Sequence, residues 1–333
     1  PTFSENSIGN LRSLTRISRM SQILRVLPLA IAILPLLASC SGSSTKDAPP
    51  PAGSVAAANP AATALFASAQ AVDTAGNTKK ALKLYSSLTK KHPFSDVAPQ
   101  ARFRQSTLLD HRGDQMEAFD SYQIFITRYQ GSSLYSQALE RQASVAHAAA
   151  DGHIKTNFLG IKSRISTKES AEMLGKVRDN APHAASAPKA QFAIGQVFEG
   201  RKKVPEAIAA YRKAAADYST TPYAPESLFR IGSILLGQSK DGNHNPANLD
   251  RSRHAFEDLI QSYPNSKRAP ETRAQLKSIG SQDIQRSFDI GEFYYKKSQF
   301  SSAAFYYNEV LRTTKGGPLR EKAQARLASI KSN

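Results

Sequence analysis

Chemistry needs side chains of complementary type at a spacing that can bring them together, and this 333-residue chain offers few such sets. Its seven histidines (92, 111, 147, 153, 183, 244 and 254) are scattered, and no two have the His-Glu-x-x-His spacing that puts two imidazoles on one helical face for zinc. Asp241-Gly-Asn243-His-Asn245 has the alternation that starts a calcium loop, but Pro246 stands where that loop needs glycine and Ser252 where it needs a bidentate glutamate. Ser43-Ser44-Thr45-Lys46 has Ser-x-x-Lys spacing, which in acyl-transfer enzymes sets a hydroxyl beside its base. Here it lies in a segment with no apolar period, which cannot hold two side chains in place. Neither a Gly-x-Ser-x-Gly elbow nor a phosphate-binding glycine loop occurs. The expectation is a protein that is not an enzyme and holds no metal and no cofactor.

One sulfur nucleophile remains. Cys40, the only cysteine, closes the apolar run Val26–Ala38 in the order Leu37-Ala38-Ser39-Cys40. A thiol after a short apolar stretch and a small-residue pair resembles the lipobox of bacterial lipoproteins. There the sulfur receives a diacylglyceryl group and the leader is cut away, here between Ser39 and Cys40. Arg16, Arg19 and Arg25 form a basic entry to a run of 13 residues interrupted by Pro28 and Pro35, whereas a spanning helix needs about 20. Residues 1–39 are therefore expected to be a signal peptide, with Met20 as the true start and no function for residues 1–19. The plain alternative for Cys40 is a free thiol behind an ordinary signal peptide. Each buried methylene is worth about 0.8 kcal/mol and one acyl chain holds only marginally, so two or three chains would give a durable anchor. Ser41 follows where an inner-membrane lipoprotein would carry aspartate, which implies outer-membrane sorting. With no second cysteine there is no disulfide, and the folded part must hold by burial alone.

Residues 40–62 are rich in Ser, Gly, Pro and Ala and are expected to be a flexible tether. Residues 63–331 remain for the folded array. The chain carries a formal charge of +17, of which residues 1–39 hold a net +3 (four arginines against Glu5), leaving +14. Export excludes nucleic acid as the partner of that excess. The basic surface either faces anionic lipid or acidic client segments, or serves solubility alone. Lys79, Lys80, Lys83, Lys90 and Lys91 share one predicted helix, and Arg201-Lys202-Lys203 end another.

The elements that carry these residues repeat. Ala81…Tyr85 recurs as Ala118…Tyr122, Ala207…Tyr211 and Ala303…Tyr307, with weaker copies at Ala171…Gly175 and Ser252…Phe256. About twenty residues beyond each small residue the next helix sets its own: Ala101, Ala138, Ala190, Ser227, Thr272 and Ala323. Between them the turns Pro93-Phe94-Ser95-Asp96, Gln130-Gly131-Ser132-Ser133, Ser219-Thr220-Thr221-Pro222 and Pro264-Asn265-Ser266-Lys267 read as helix stops followed by N-caps. Phe192-Ala-Ile-Gly195, Phe229-Arg-Ile-Gly232 and Phe288-Asp-Ile-Gly291 mark the preceding helices, with degraded copies at Phe66…Ala69 and Phe103…Ser106. Small residues facing each other let two helix backbones approach, and the aromatic one turn later fills the gap against the next pair. The unit, about 34 to 37 residues where uninterrupted, resembles the tetratricopeptide repeat. The expected fold is all-α, a right-handed α-solenoid of about six such helix pairs. A capping helix from about Pro318 to Lys331 closes it. Insertions of about 16 residues between Ala143 and Ala171, and a smaller one at Ser239–Pro246, are expected to be loops.

Residues 248–311 carry a more specific likeness. Phe256-Glu-Asp-Leu-Ile-Gln-Ser-Tyr-Pro-Asn-Ser-Lys267 leads into a long helix through Phe288-Asp-Ile-Gly-Glu-Phe-Tyr-Tyr-Lys-Lys297, then Phe300-Ser-Ser-Ala-Ala-Phe-Tyr-Tyr-Asn-Glu-Val-Leu311. This order resembles the last repeats of the BamD family, lipoproteins of the outer-membrane β-barrel assembly machinery. The resemblance implies a non-catalytic scaffold anchored by lipid in the outer membrane and facing the periplasm. Its implied partners are the barrel-forming subunit, other lipoproteins of the complex and unfolded outer-membrane protein segments. The family has five repeats against six here, and glutamate where Ser287 stands. A pilotin or assembly factor for a secretin, pilus or other cell-envelope complex is the alternative. A helix-pair array binds along the face of its first helices. The repeat register places Gln100, Phe103, Thr107, Asp110 and His111, then Lys189, Gln196 and Glu199, on that client-peptide groove. Phe103 can equally be packing. Tyr85, Tyr122, Tyr211 and Tyr307 are expected to pack between helices. On the family-like helix, Glu292, Tyr295, Lys296 and Lys297 are the expected docking residues.

Overall fold

Proline in the first two helical positions and a left-handed residue past the last turn mark several of the helix boundaries in this chain. The computed structural model describes residues 58–158, 161–241 and 246–332. Cys40, the expected signal peptide and most of the expected tether lie outside the described residues. The helices are α1 (Pro60–Thr74), α2 (Thr78–Lys91), α3 (Ala98–Arg112), α4 (Gln115–Arg128), α5 (Tyr135–Ala150), α6 (Thr167–Asn180), α7 (Ser186–Glu199), α8 (Val204–Asp217), α9 (Tyr223–Asp241), α10 (Pro246–Ser262), α11 (Ala269–Lys296), α12 (Phe300–Thr313) and α13 (Pro318–Lys331). They form six consecutive hairpins and a closing helix, a helical solenoid within the unit Ala48–Asn333. Each helix packs on its chain neighbours, and α5 on α7, α7 on α9 and α11 on α13 continue the stack of first helices.

Three boundaries differ from the sequence reading. The array opens at Pro60, not residue 63, because Asn59 accepts a hydrogen bond from the Ala62 N–H and Pro60 supplies a preset φ. The first insertion carries a hairpin: β1 (Lys155–Phe158) pairs antiparallel with β2 (Ile161–Arg164), Lys155 opposite Arg164. The second is absorbed largely by helix, since α9 runs to Asp241 and α10 starts at Pro246.

Within five of the hairpins the same turn recurs, the residues between α9 and α10 lying outside the described ones. Gly76, Gly113 and Gly152 have positive φ, and so do Lys202 (φ 57°) and Ser298 (φ 56°) at the equivalent places. In all five, the left-handed residue donates its N–H to the carbonyl three back, and the next residue donates to the carbonyl five back, as Lys202 to Glu199 and Lys203 to Phe198. This Schellman arrangement satisfies carbonyls that the helix end would orphan. Between hairpins, the expected N-caps do not form. Val97, Leu134 and Arg268 precede α3, α5 and α11 without side-chain caps. Ser95, Ser132, Thr221 and Ser266 instead each accept, through the main-chain carbonyl, the N–H of the first or second residue of the next helix, so these residues hold the turn itself. Tyr129 and Tyr263 join successive turns, donating from their hydroxyls to the carbonyls of Pro93 (3.0 Å) and Ser219 (2.9 Å).

The core follows the small-residue register. Ala81, Ala101, Ala118, Ala138, Ala207, Ala303 and Ala323 are fully buried. In the fourth, fifth and sixth hairpins the aromatic of the second helix lies on the glycine of the first. A Cβ built on Gly195 would stand 2.4 Å from the Tyr211 ring, on Gly232 2.4 Å from Phe256, and on Gly291 2.7 Å from Tyr307. Carbon atoms need roughly 3.5 Å, so glycine is what admits the ring. The marker phenylalanine packs on the same aromatic: Phe66 on Tyr85, Phe103 on Tyr122, Phe192 on Tyr211, Phe229 on Phe256 and Phe288 on Tyr307, with centroids 5.3–6.0 Å apart. The third hairpin has Gly175 at the aromatic place. There an amide cluster of the buried Gln142 and the half-buried Gln123 and Asn180 ties α4, α5 and α6 together at 2.7–2.9 Å.

Candidate functional site

In α1, α3 and α7 an acid stands four residues past the helix's small residue, and the next first helix (α3, α5 and α9) bears an arginine two residues before its own. Asp73 of α1 accepts two hydrogen bonds from Arg104 of α3 (2.6 and 3.0 Å) and one from the Tyr85 hydroxyl (3.2 Å). Glu199 of α7 accepts from Tyr211 (2.5 Å) and pairs with Arg230 of α9 (3.5 Å). Asp110 and Arg141 occupy the same places on α3 and α5, with opposite effects on the Tyr122 hydroxyl. Arg326 of α13, also in register, reaches Glu292 of α11 (2.7 and 2.9 Å), which also takes the Tyr307 hydroxyl (2.7 Å). Where the acid is replaced by His147, Ala193 replaces the arginine, so neither charge is left alone.

The electrostatics of this ladder are those of a fixed scaffold. The Arg104 guanidinium holds the Asp73 carboxyl below the usual carboxylate range, and Arg326 does the same for Glu292. Burial, then Asp73, push the Tyr85 hydroxyl up to about 12, and burial, then the Glu199 hydrogen bond, raise Tyr211. The Asp73 and Glu292 carboxylates stay ionised and the Tyr85 and Tyr211 hydroxyls protonated near neutrality, so these four groups hold no proton poised for transfer. Among the described residues no group of three or more His, Cys, Asp or Glu is placed to hold a metal ion.

Beside the first rung lies an open recess of about 380 Å³ lined by Phe66, Gln70, Asp73, Thr74, Gln100 and Arg104, with Tyr85 at its base. Of the groove residues expected from sequence, Gln100 is exposed in this recess. His111 is exposed, Thr107 and Asp110 are half-buried on the same helix, and Thr107 donates to the Arg104 carbonyl (2.9 Å). The Phe103 ring is spent on Tyr122 and Phe125. Lys189 and Gln196 are exposed on α7, and Glu199 is engaged in the ladder. The eight thus fall in two groups, on α3 and α7, with the α5–α6 hairpin between them.

At the far end, Glu292 is held by Arg326 and Tyr307, and Tyr295 meets Ser329 through its hydroxyl (3.1 Å) while Arg326 lies over its ring. Both side chains face the closing helix, which leaves Lys296 and Lys297 exposed. Not anticipated is a chain of rings beside them. Phe293, 56% exposed, meets Tyr294 edge-on, Tyr294 stacks on Tyr306 (5.7 Å, 10°), and Tyr306 meets Phe305, 67% exposed. The sequence signal is the doubled Phe-Tyr-Tyr, 293–295 and 305–307. At about 100° per residue, three consecutive aromatics on a helix cannot all face one core.

A family model described as YfiO, outer membrane lipoprotein, matches residues 163–332, just over half of the chain, from the hairpin's second strand through α13. Among solved structures, a tetratricopeptide repeat protein from Parabacteroides merdae is similar at 14% identity, covering 83% of this chain and 100% of that one with a TM-score of 0.30. PilF of Pseudomonas aeruginosa is similar at 12% identity, covering 80% and 97%, with a TM-score of 0.29. No curated protein matches the chain in sequence.

Proposed function

The chain belongs to the YfiO family of outer membrane lipoproteins, and from that premise we propose that it is a lipid-anchored periplasmic scaffold in the assembly and insertion of outer-membrane β-barrels. In this reading Cys40 bears the lipid, residues 1–39 are removed, residues 40–59 are the tether, and the helical array from Pro60 on binds other polypeptides without catalysis. The observation that carries it is the match itself, which covers the α7–α13 stack including the ring chain of α11 and α12. Two largely exposed phenylalanines on a polar protein surface suit burial against a partner. Lys296 and Lys297 rim that patch, and the family-like helix docks the barrel-forming subunit there. The recess at Gln100 and the α3 and α7 surfaces take unfolded client segments. No helix among the described residues is long and apolar enough to cross a membrane, which suits attachment through Cys40.

Affinity purification from detergent-solubilised outer membranes tests this. The parent chain should recover a large β-barrel protein with periplasmic domains. Phe293→Ser with Phe305→Ser should reduce that recovery at least about tenfold, as loss of two interface anchors does, while the circular dichroism stays unchanged. Repeated recovery of a secretin instead overturns the reading.

A further inference from the structure

Lys79, Lys83 and Lys90 all line one cleft between α2 and α3, about 520 Å³ in volume, with Leu82 and Leu109 on its floor and Arg112 opposite. On a helix these three lysines fall within about 40° of one another and span about 16 Å. Each is exposed, and none makes an ion pair among the described residues, whereas Arg112 is paired with Asp114. No carboxylate lines the cleft, and α2 contains no acidic residue at all. Lys80 and Lys91 extend the same charge onto the adjoining face. The remaining lining, Ser86, Ser87 and Gln105, adds neutral donors suited to phosphate oxygens.

We propose that this cleft and its lysine row dock the protein on the anionic phospholipid headgroups of the membrane that anchors it. The proposal rests on the lipid-anchor reading of Cys40. Ala58, the first described residue, is 18 residues from Cys40, so the intervening chain reaches at most about 65 Å and, as the coil its composition predicts, about 20–25 Å. The first hairpin is thus the part of the array tethered nearest to the bilayer, and its outward helix is the one with five cations and no acid. Phosphate-bearing lipid complements that row in charge, and the apolar floor between lysine stems can receive the glycerol end of a headgroup.

The test uses the full chain carrying Cys40→Ser, so that no lipid is attached. Its partition is measured onto vesicles of phosphatidylcholine alone and of phosphatidylcholine mixed with phosphatidylglycerol. Each cation at a bilayer surface is worth about fivefold. Lys79→Gln, Lys83→Gln and Lys90→Gln together should therefore cut the preference for phosphatidylglycerol by about a hundredfold. The corresponding triple arginine variant should retain the preference. Removing equal charge elsewhere, with Arg201→Gln, Lys202→Gln and Lys203→Gln, should change it less than about fivefold. Because all variants share one leader, its arginines cancel from the comparison. An unchanged preference in the triple glutamine variant overturns the proposal, as does an equal loss in the control. So does saturable, lysine-dependent binding of inorganic phosphate or polyglutamate without any gain on phosphatidylglycerol. Lipid labelling of Cys40 in cells is read separately, so failure of the anchor and failure of the cleft are told apart.

Discussion

Replacing glycine by alanine inside a helix ordinarily stabilises it by about 1 kcal/mol, since alanine loses less backbone entropy on folding. In this array the sign depends on what faces the missing Cβ. At Gly195 the new methyl would stand 2.4 Å from Cε1 and 2.5 Å from Cδ1 of Tyr211, so the ring must retreat by about 1 Å to reach ordinary contact. It has nowhere to go, because Tyr211 is fully buried and its hydroxyl is held 2.5 Å from Glu199. Overpacking of this kind costs about 1–3 kcal/mol, and loosening the hydrogen bond to the carboxylate adds to it. Against the propensity gain, Gly195→Ala should be destabilising by about 2 kcal/mol, a fall of about 4–8 °C in melting temperature. Gly280→Ala, in α11 with open space at the Cβ, should raise it by about 2–4 °C. Far-UV circular dichroism melts give both signs, and hydrogen exchange should place the loss for Gly195→Ala at α7 and α8. Adding Tyr211→Leu should make Gly195→Ala nearly neutral, a coupling only direct contact produces. A Gly195→Ala variant that melts with or above the parent would refute the close approach on which the fourth, fifth and sixth hairpins are built.

Three further outcomes follow from the same geometry. Lys202→Gly and Ser298→Gly relieve left-handed backbone at φ 57° and 56° and should each stabilise by about 0.5–1 kcal/mol, read as a raised urea midpoint with unchanged slope. Glu226 is held below its ordinary pKa of 4.5, first by the hydrogen bonds from Arg268. It therefore contributes stability that is complete above about pH 5 and lost as pH falls through the folded-state value. The gap in urea midpoint between the parent and Glu226→Gln should be widest at neutral pH and shrink below pH 4.5, and a gap that widens with acid would contradict this. Cys40→Ser in cells should yield an uncleaved or soluble precursor without incorporated lipid, and normal palmitate labelling of that variant would remove the anchor site.

Much of the stack was legible from residue spacing. A small residue and an aromatic four positions apart, recurring after about 34 to 37 residues where no insertion intervenes, fixed the hairpins, the burial of Tyr85, Tyr122, Tyr211 and Tyr307, and the closing helix. These are short-range facts, since helical periodicity determines which side chains share a face. The capping serines were misjudged because Ser95 and Ser266 stand two residues before the N-cap positions Val97 and Arg268, and their carbonyls, not their hydroxyls, meet the helix N-termini. The candidate docking residues show the same limit. From sequence, Glu292 and Tyr295 are a free acid and a free ring on a long helix, but α13 folds back and takes both.

What the sequence alone determined is therefore the identity and order of the helix pairs, the interior aromatics and the family likeness of the last repeats, because each depends on residues within one or two turns or on a period in the chain. Which polar groups are left over was decided only by the tertiary structure. Arg104 reaches Asp73 across 31 residues and Arg326 reaches Glu292 across 34, so long-range pairing consumes some charges while sparing the lysines of α2 and the phenylalanines of α11 and α12. Pairing across such distances is a property of how the hairpins stack, and no local pattern encodes it.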